Sequence, residues 1–249
     1  MNQSNPIHSD TLYQDASLVQ FYDYDNPWSE GFTTLLHQVK KTDIVLDLGC
    51  GTGTLTAELA KKCQKVYGID LAAEMLEIAQ TKSSTVSWMK VNICTFSLDQ
   101  QFDVILLSGH SFQTLQSDAD RLALFQKIKQ HLKPTGFFIF DSRNPIVEEW
   151  KTWTPQASIR YFKHPTYGVV KAWNDWEKQN HLLCYHTYYQ TIDATQLWQA
   201  SSLIDFPSQD SIVALLEEAG LTVENLFGDW ELNPFTPTSE EMIFKGTHL

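Results

Sequence analysis

The chain has 249 residues, 43% hydrophobic and 19% charged, an ordinary globular balance with length for one α/β domain plus an insertion, or two small lobes. Its net charge of −12, with no lysine–arginine run, argues against a nucleic-acid partner, whose phosphates need a positive surface. Cys50, Cys63, Cys94 and Cys184 lack C-x-x-C spacing, which disfavours a disulfide framework or zinc knuckle and favours reduced thiols. With no membrane-length apolar run and no basic–apolar leader, a soluble, cytoplasmic protein without a membrane partner is expected.

Residues 1–11 are polar and aperiodic, and are expected to be loose. Aromatics then crowd in before the first strand (Tyr13, Phe21, Tyr22, Tyr24, Trp28), as a helix packed over a sheet edge would require. Ser29 to Val39 reads as a helix with Ser29 as its cap.

The next stretch organises the chain. Ile44-Val45-Leu46-Asp47-Leu48 is a short apolar run, as in a buried parallel strand, and Gly49, Gly51 and Gly53 follow at alternate positions before Leu55–Ala60, which has helical spacing. Such a turn lets a ligand lie against the backbone, and the helix aims its free N–H groups at it. A dinucleotide fingerprint would want its third glycine at position 54, where Thr54 stands, and no Lys-Ser or Lys-Thr follows for a phosphate cradle. Asp47 would repel a pyrophosphate and suits a ligand with positive charge. Lys65 to Asp70 is a second strand ending, about 20 residues on, in an acid that could grip a ribose diol.

With these residues the sequence resembles the class I S-adenosylmethionine-dependent methyltransferases, whose loop E/D-x-G-x-G-x-G is matched at Asp47, Gly49, Gly51 and Gly53, with Asp70 as the ribose acid. The resemblance implies S-adenosyl-L-methionine as cofactor. It places Leu71 against adenine with Met75 close by. Asn92, where the family usually has Asp, can still accept from the adenine amino group through its amide oxygen. It also suggests that the N-terminal segment, with Tyr13, Tyr22 and Trp28 as candidates, lies over the cofactor mouth. Cys50, Ile93 and Ser108 complete the expected cofactor-binding set.

Val86–Val91 is expected as the third strand, Phe102–Leu107 as the fourth, Asp120–Leu132 as a helix striped by Leu122, Phe125, Ile128 and Leu132, and Gly136–Asp141 as the fifth strand. This alternation implies right-handed crossovers and a parallel sheet. From Trp150 to Phe206 the apolar period falls towards two and aromatics recur, which predicts three or four antiparallel strands. A helix over Ile212–Ala219, capped by Ser208 or Asp210, and strands at Leu221–Phe227 and Met242–Gly246 close the chain. The expected fold is therefore α/β: a Rossmann-like, seven-stranded, mostly parallel sheet with an antiparallel last strand, and an inserted antiparallel β lid. The expected division is a helical cap over 1–43, a methyltransferase domain over 44–145 and 207–249, and a β-rich substrate lid over 146–206.

Methyl transfer from a sulfonium needs alignment and exclusion of water more than a dedicated base, so no catalytic triad is expected. His110, at a strand end facing the presumed site, is the catalytic candidate, as base, substrate anchor or loop cap. Asp141, Arg143 and Asn144 could orient a substrate, but fixing the turn before Pro145 is the favoured role. His181 and His186, in a predicted strand, fall on opposite faces and make a poor metal pair; no metal is expected. Gly228-Asp229-Trp230 could close over the site, but a loop anchor is the favoured role. The leading function is methyl transfer to the nitrogen or oxygen of a small molecule by a monomer or homodimer, and amine N-methyltransferases are the closer resemblance. The alternatives are a catalytically silent protein binding S-adenosylmethionine or S-adenosylhomocysteine, and a nicotinamide-dependent oxidoreductase.

Overall fold

Aromatic side chains at the start of the described chain bury themselves against the inserted strands. The computed structural model describes residues 11–249; the loose character expected of 1–11 falls, for residues 1–10, outside them, as does that part of the proposed cap. Three single-turn helices, α1 (Thr11–Gln14), α2 (Ala16–Val19) and α3 (Tyr22–Asp25), precede α4 (Glu30–Gln38). Ser29 caps α4, its Oγ accepting from the Phe32 N–H at 3.2 Å. The Rossmann-like half continues with β1 (Ile44–Leu48), α5 (Thr54–Lys62), β2 (Lys65–Asp70), α6 (Ala73–Lys82), β3 (Ser87–Lys90) and β4 (Phe102–Leu107). Next come α7 (Asp118–His131) and β5 (Leu132–Arg143). The helix α7 starts two residues before the expected position because Ser117 caps it, accepting from the Asp120 N–H.

The insertion supplies β6 (Arg160–His164), β7 (Gly168–Gln179), β8 (Leu182–Thr191) and β9 (Leu197–Ile204). The chain then returns through α8 (Gln209–Glu218), β10 (Leu221–Phe227) and β11 (Glu241–His248). The large sheet has the order β10-β11-β5-β4-β1-β2-β3; β1 to β5 pair in parallel, and β11 runs antiparallel to both β5 and β10. The insertion is a separate antiparallel sheet of four strands, β6-β7-β8-β9. His181 lies in the turn between β7 and β8, not in a strand as expected, because the hairpin reverses at Asn180, whose φ is +58°.

Apolar layers cover both faces of the large sheet. Leu46, Ile105, Phe125, Phe140 and Phe244 pack beneath α7 and α8, whereas Val45, Leu59, Val66, Leu106 and Ile243 pack with α4 and α5. A third core joins the N-terminal helices to the lid: Phe21 is fully buried and its ring lies 4.7 Å from that of Tyr189, among Val170, Ala172 and Ala200. Ion pairs hold α3 from both sides, Asp25 with Arg160 of β6 and Asp23 with Lys82 of α6. The N-terminal segment thus bridges the inserted sheet and α6 of the Rossmann-like half.

Candidate active site

The carboxyl ends of β1, β2 and β4 open into one crevice with two connected parts. Open α/β sheets bind ligands at such an edge, where neighbouring crossovers diverge. A cavity of about 370 Å³ lies on the β2 side, and a chamber of about 460 Å³ lies beneath the lid. Tyr13, Tyr22, Gly49, Gly51, Gly109, Ser111 and Thr114 line both, so the two are continuous.

The glycine turn does two different jobs. Gly51 has φ +52° and lines both parts; a Cβ there would meet no protein atom within 4 Å and would project into the crevice. Gly53, also left-handed at φ +73°, lines neither part. A Cβ there would stand 2.4 Å from the Trp88 ring and 2.8 Å from Ala79, so this third glycine lets α5 close on β3 and α6. Gly49 lines both parts with φ +63°, backed by Ser111.

Asp70 lines the β2-side cavity. Its Oδ2 accepts from the Gly51 N–H and its Oδ1 from the Ala72 N–H, both at 2.8 Å, which aims the carboxylate at the turn with a lone pair left on each oxygen. Burial raises its pKa, opposed by those backbone N–H groups. Leu71 is 51% exposed, unusual for a leucine beside a core, and lines the same cavity with Met75, Asn92 and Ile93. Asn92 Oδ1 already accepts from the Cys94 N–H at 2.7 Å, leaving the oxygen's second lone pair for a ligand.

Asp47, Cys50 and Ser108 line the lid-side chamber. Asp47 is 2% exposed and accepts from Thr56 Oγ1 at 2.6 Å. Burial lifts its pKa to about 7; the Thr56 hydrogen bond opposes the rise and the charge of Asp70 adds to it. Burial likewise pushes the Cys50 thiol well up. Tyr22 is driven to about 12, first by burial and then by Asp70 and Asp23. Trp28, in contrast, lines neither part; it is 41% exposed and donates its Nε1–H to Thr33.

A match covers residues 45–136 with a family model described as a methyltransferase domain. The cypemycin N-terminal methyltransferase of a Streptomyces species is 27% identical over 202 residues, 80% of this chain and 80% of that protein. Residues 45–136 thus match a methyltransferase domain, and over most of its length the chain is similar in sequence or fold to S-adenosylmethionine-dependent methyltransferases. Three further curated relatives, 33–36% identical, are matched over only 41% of their own length. In fold, the sugar N-methyltransferase KedS8 from Streptoalloteichus sp ATCC 53650 superposes with a TM-score of 0.77 at 16% identity, covering 100% of this chain and 98% of that one. The S-adenosylmethionine-bound amino pentose methyltransferase CalS10 from Micromonospora echinaspora superposes at 0.72 with 16% identity, covering 100% of both chains.

The crevice fits S-adenosylmethionine on three independent grounds. Gly51 leaves backbone space that a side chain would fill, Asp70 turns spare lone pairs towards it, and Leu71 offers an exposed apolar face for a flat base.

Several lining groups have no sequence motif to mark them, although Asp141 and Arg143 are among the sequence's candidates for orienting a substrate. Asp23, Asp25, Asp141, Arg143, Trp153, Arg160, Tyr185 and Trp230 come to the lid-side chamber from six separate segments. Asn144 does fix the turn: its Nδ2 donates to the Pro237 and Ser239 carbonyls, and its Oδ1 accepts from the Ile146 N–H. Asp141 and Arg143, for which substrate orientation is the alternative to a role in that turn, line the chamber. Among the described residues two trios place ligand-type atoms within 4.8 Å of one another, His110–Asp141–Glu241 and Glu177–Cys184–His186; the second lines neither part of the crevice.

Proposed function

We propose that this protein transfers a methyl group from S-adenosylmethionine to a nitrogen of a small, amine-bearing acceptor held in the lid-side chamber. The observation that carries the reading is the lining of that chamber, where Asp23, Asp25, Asp47 and Asp141 converge beside Tyr13, Tyr22, Trp153, Tyr185 and Trp230. Its two arginines are already paired, Arg143 with Glu149 and Arg160 with Asp25, and Asp23 is paired with Lys82, which leaves Asp47 and Asp141 without a lysine or arginine partner among the described residues. Carboxylates and aromatic faces together attract a cation and repel an anion. Fold likeness to sugar and amino-pentose methyltransferases, and the N-terminal acceptor named for the cypemycin enzyme, point the same way.

Bound S-adenosylmethionine supplies a methyl on a cationic sulfur whose departure leaves a neutral thioether. The chain's own task is placement. Asp70 would hold the ribose diol, Leu71, Met75 and Ile93 would flank the base, and Asp47 would face the cationic part of the cofactor. The lid and α1 to α3 roof the chamber and exclude water, so that nucleophile and methyl can be brought into line.

The test is incubation with labelled cofactor and a panel of small amines, matched alcohols and a metabolite extract, with products identified by mass. N-methylated products are expected. O-methylation alone would overturn the nitrogen assignment. Binding of S-adenosylhomocysteine with no transfer to anything in the extract would support a silent binding protein instead.

A further inference from the structure

We propose that Glu241 is a positioning residue for methyl transfer: it holds the His110 ring with its proton on Nε2, leaving the Nδ1 lone pair to take a proton from the acceptor amine. This deepens the amine-acceptor reading and rests on it.

His110 follows Gly109 just beyond β4 and lines the chamber. Its backbone sits at φ +60°, which a side-chain-bearing residue adopts only when its surroundings impose it. Part of that imposition comes from Asp141, whose Oδ1 accepts the His110 N–H at 3.0 Å. The ring is fixed separately. Nε2 lies 2.8 Å from Glu241 Oε1 and 3.0 Å from Oε2, with Asp141 Oδ2 further off at 3.8 Å. The strand register explains how two acids 100 positions apart meet at one imidazole. Glu241 pairs with Arg143 and Ile243 with Asp141, so Glu241 and Asp141 share a sheet face one diagonal apart.

An ionised carboxylate only accepts, so the nitrogen that faces Glu241 must carry the proton, and a neutral ring then keeps its lone pair on Nδ1. No described residue hydrogen-bonds Nδ1. The same arrangement, a base whose far nitrogen is held by a third group, recurs wherever imidazole removes a proton. Burial pushes Glu241 up, but the hydrogen bond from His110 and nearby positive charge, that of Arg143 included, outweigh it and bring its pKa below the usual value; burial raises Asp141.

The need for a base follows from the chamber itself. An amine that enters as ammonium, the form that the chamber's carboxylates favour, has no lone pair to attack with. In the proposed step the ammonium N–H bond breaks, the proton passes to Nδ1 and the electron pair stays on nitrogen. That pair forms the bond to the methyl carbon while the carbon–sulfur pair leaves with sulfur, and the imidazolium later yields its proton to solvent. The charged or titratable groups facing His110 are Asp141 and Arg143 on β5 and Glu241 on β11. Asp47 on β1, Asp23 and Asp25 on α3 and Arg160 on β6 line the same chamber.

The test compares wild type with Glu241→Gln and Glu241→Asp. Long-range proton–nitrogen NMR of the His110 ring reports the tautomer without any acceptor. Wild type should show a protonated Nε2 and a bare Nδ1; Gln, which can donate as well as accept, should mix the tautomers, and Asp should restore the wild-type pattern in part. With a methylated amine from the panel, kcat of the Gln variant should fall about 10²-fold. Its amine KM and its S-adenosylhomocysteine affinity should stay within about threefold. Its rate should climb with pH towards the pKa of the free amine, whereas wild type levels off earlier. An unchanged ring spectrum in Glu241→Gln overturns the proposal, and so does a changed spectrum with wild-type kcat and pH profile. Failure of wild type to methylate any amine would instead overturn the acceptor reading and the proton transfer with it, leaving the ring spectrum to decide the positioning role.

Discussion

The buried acid at the end of β1 should make the stability of the ligand-free protein fall as pH rises. Asp47 is enclosed, with Thr56 as its hydrogen-bond donor, and its pKa in the folded state is raised from 3.8 to about 7 by burial. A carboxyl whose folded pKa exceeds its unfolded value contributes stability that is fully present below the unfolded pKa and is lost as pH rises through the folded one. The whole shift corresponds to about 4 kcal/mol, of which about 3 kcal/mol lies between about pH 5 and about pH 8.5. Asp47→Asn keeps an oxygen for the Thr56 hydroxyl but cannot ionise. Urea unfolding of both proteins across that range, without ligand, isolates the effect of this group from every other titration. The wild type should lose about 3 kcal/mol more than the variant. A saturating cationic ligand, S-adenosylmethionine, should shrink the difference, because its charge favours the ionised carboxylate. Parallel pH curves for the two proteins would falsify the assignment of a raised pKa to Asp47, and with it the idea that this acid awaits a cation.

The two inner glycines should fail differently. Gly53→Ala, at φ +73° and against Trp88, should cost about 3 kcal/mol in urea unfolding, while Gly51→Ala should cost about 1 kcal/mol yet weaken S-adenosylhomocysteine binding in calorimetry far more; the reverse ranking would refute the division of roles. Asp70→Ala should lower that affinity about 10- to 100-fold through loss of charge-assisted hydrogen bonds, and unchanged affinity would mean that the ribose is gripped elsewhere. Phe21→Ala empties a fully buried site against Tyr189 and should destabilise by about 3–5 kcal/mol, with faster protease cutting within residues 11–25; wild-type resistance there would show that the ion pairs of Asp23 and Asp25 suffice to hold the segment.

Local chemistry made much of this protein readable in one dimension. Asp47, the alternate glycines and Asp70 lie within 24 positions of one another, and their roles follow from the geometry of one strand, one turn and the next strand. The period-two aromatic stretch likewise announced the antiparallel insertion, whose four strands run from Arg160 to Ile204. Here alternation and backbone conformation are set by neighbours in the chain, so the pattern survives without tertiary information.

What meets across the crevice was settled by sheet register and burial. Glu241 stands 131 positions from His110, and nothing near either residue signals the other; they touch because β11 enters antiparallel beside β5 at one register rather than the next. The same holds for Asp25 and Arg160, and for Gly53, whose glycine is demanded by a tryptophan on another strand rather than by the ligand its motif suggests. A side-chain alternation states which residues can share a face, but the partner on that face depends on how distant segments bury their apolar surfaces together.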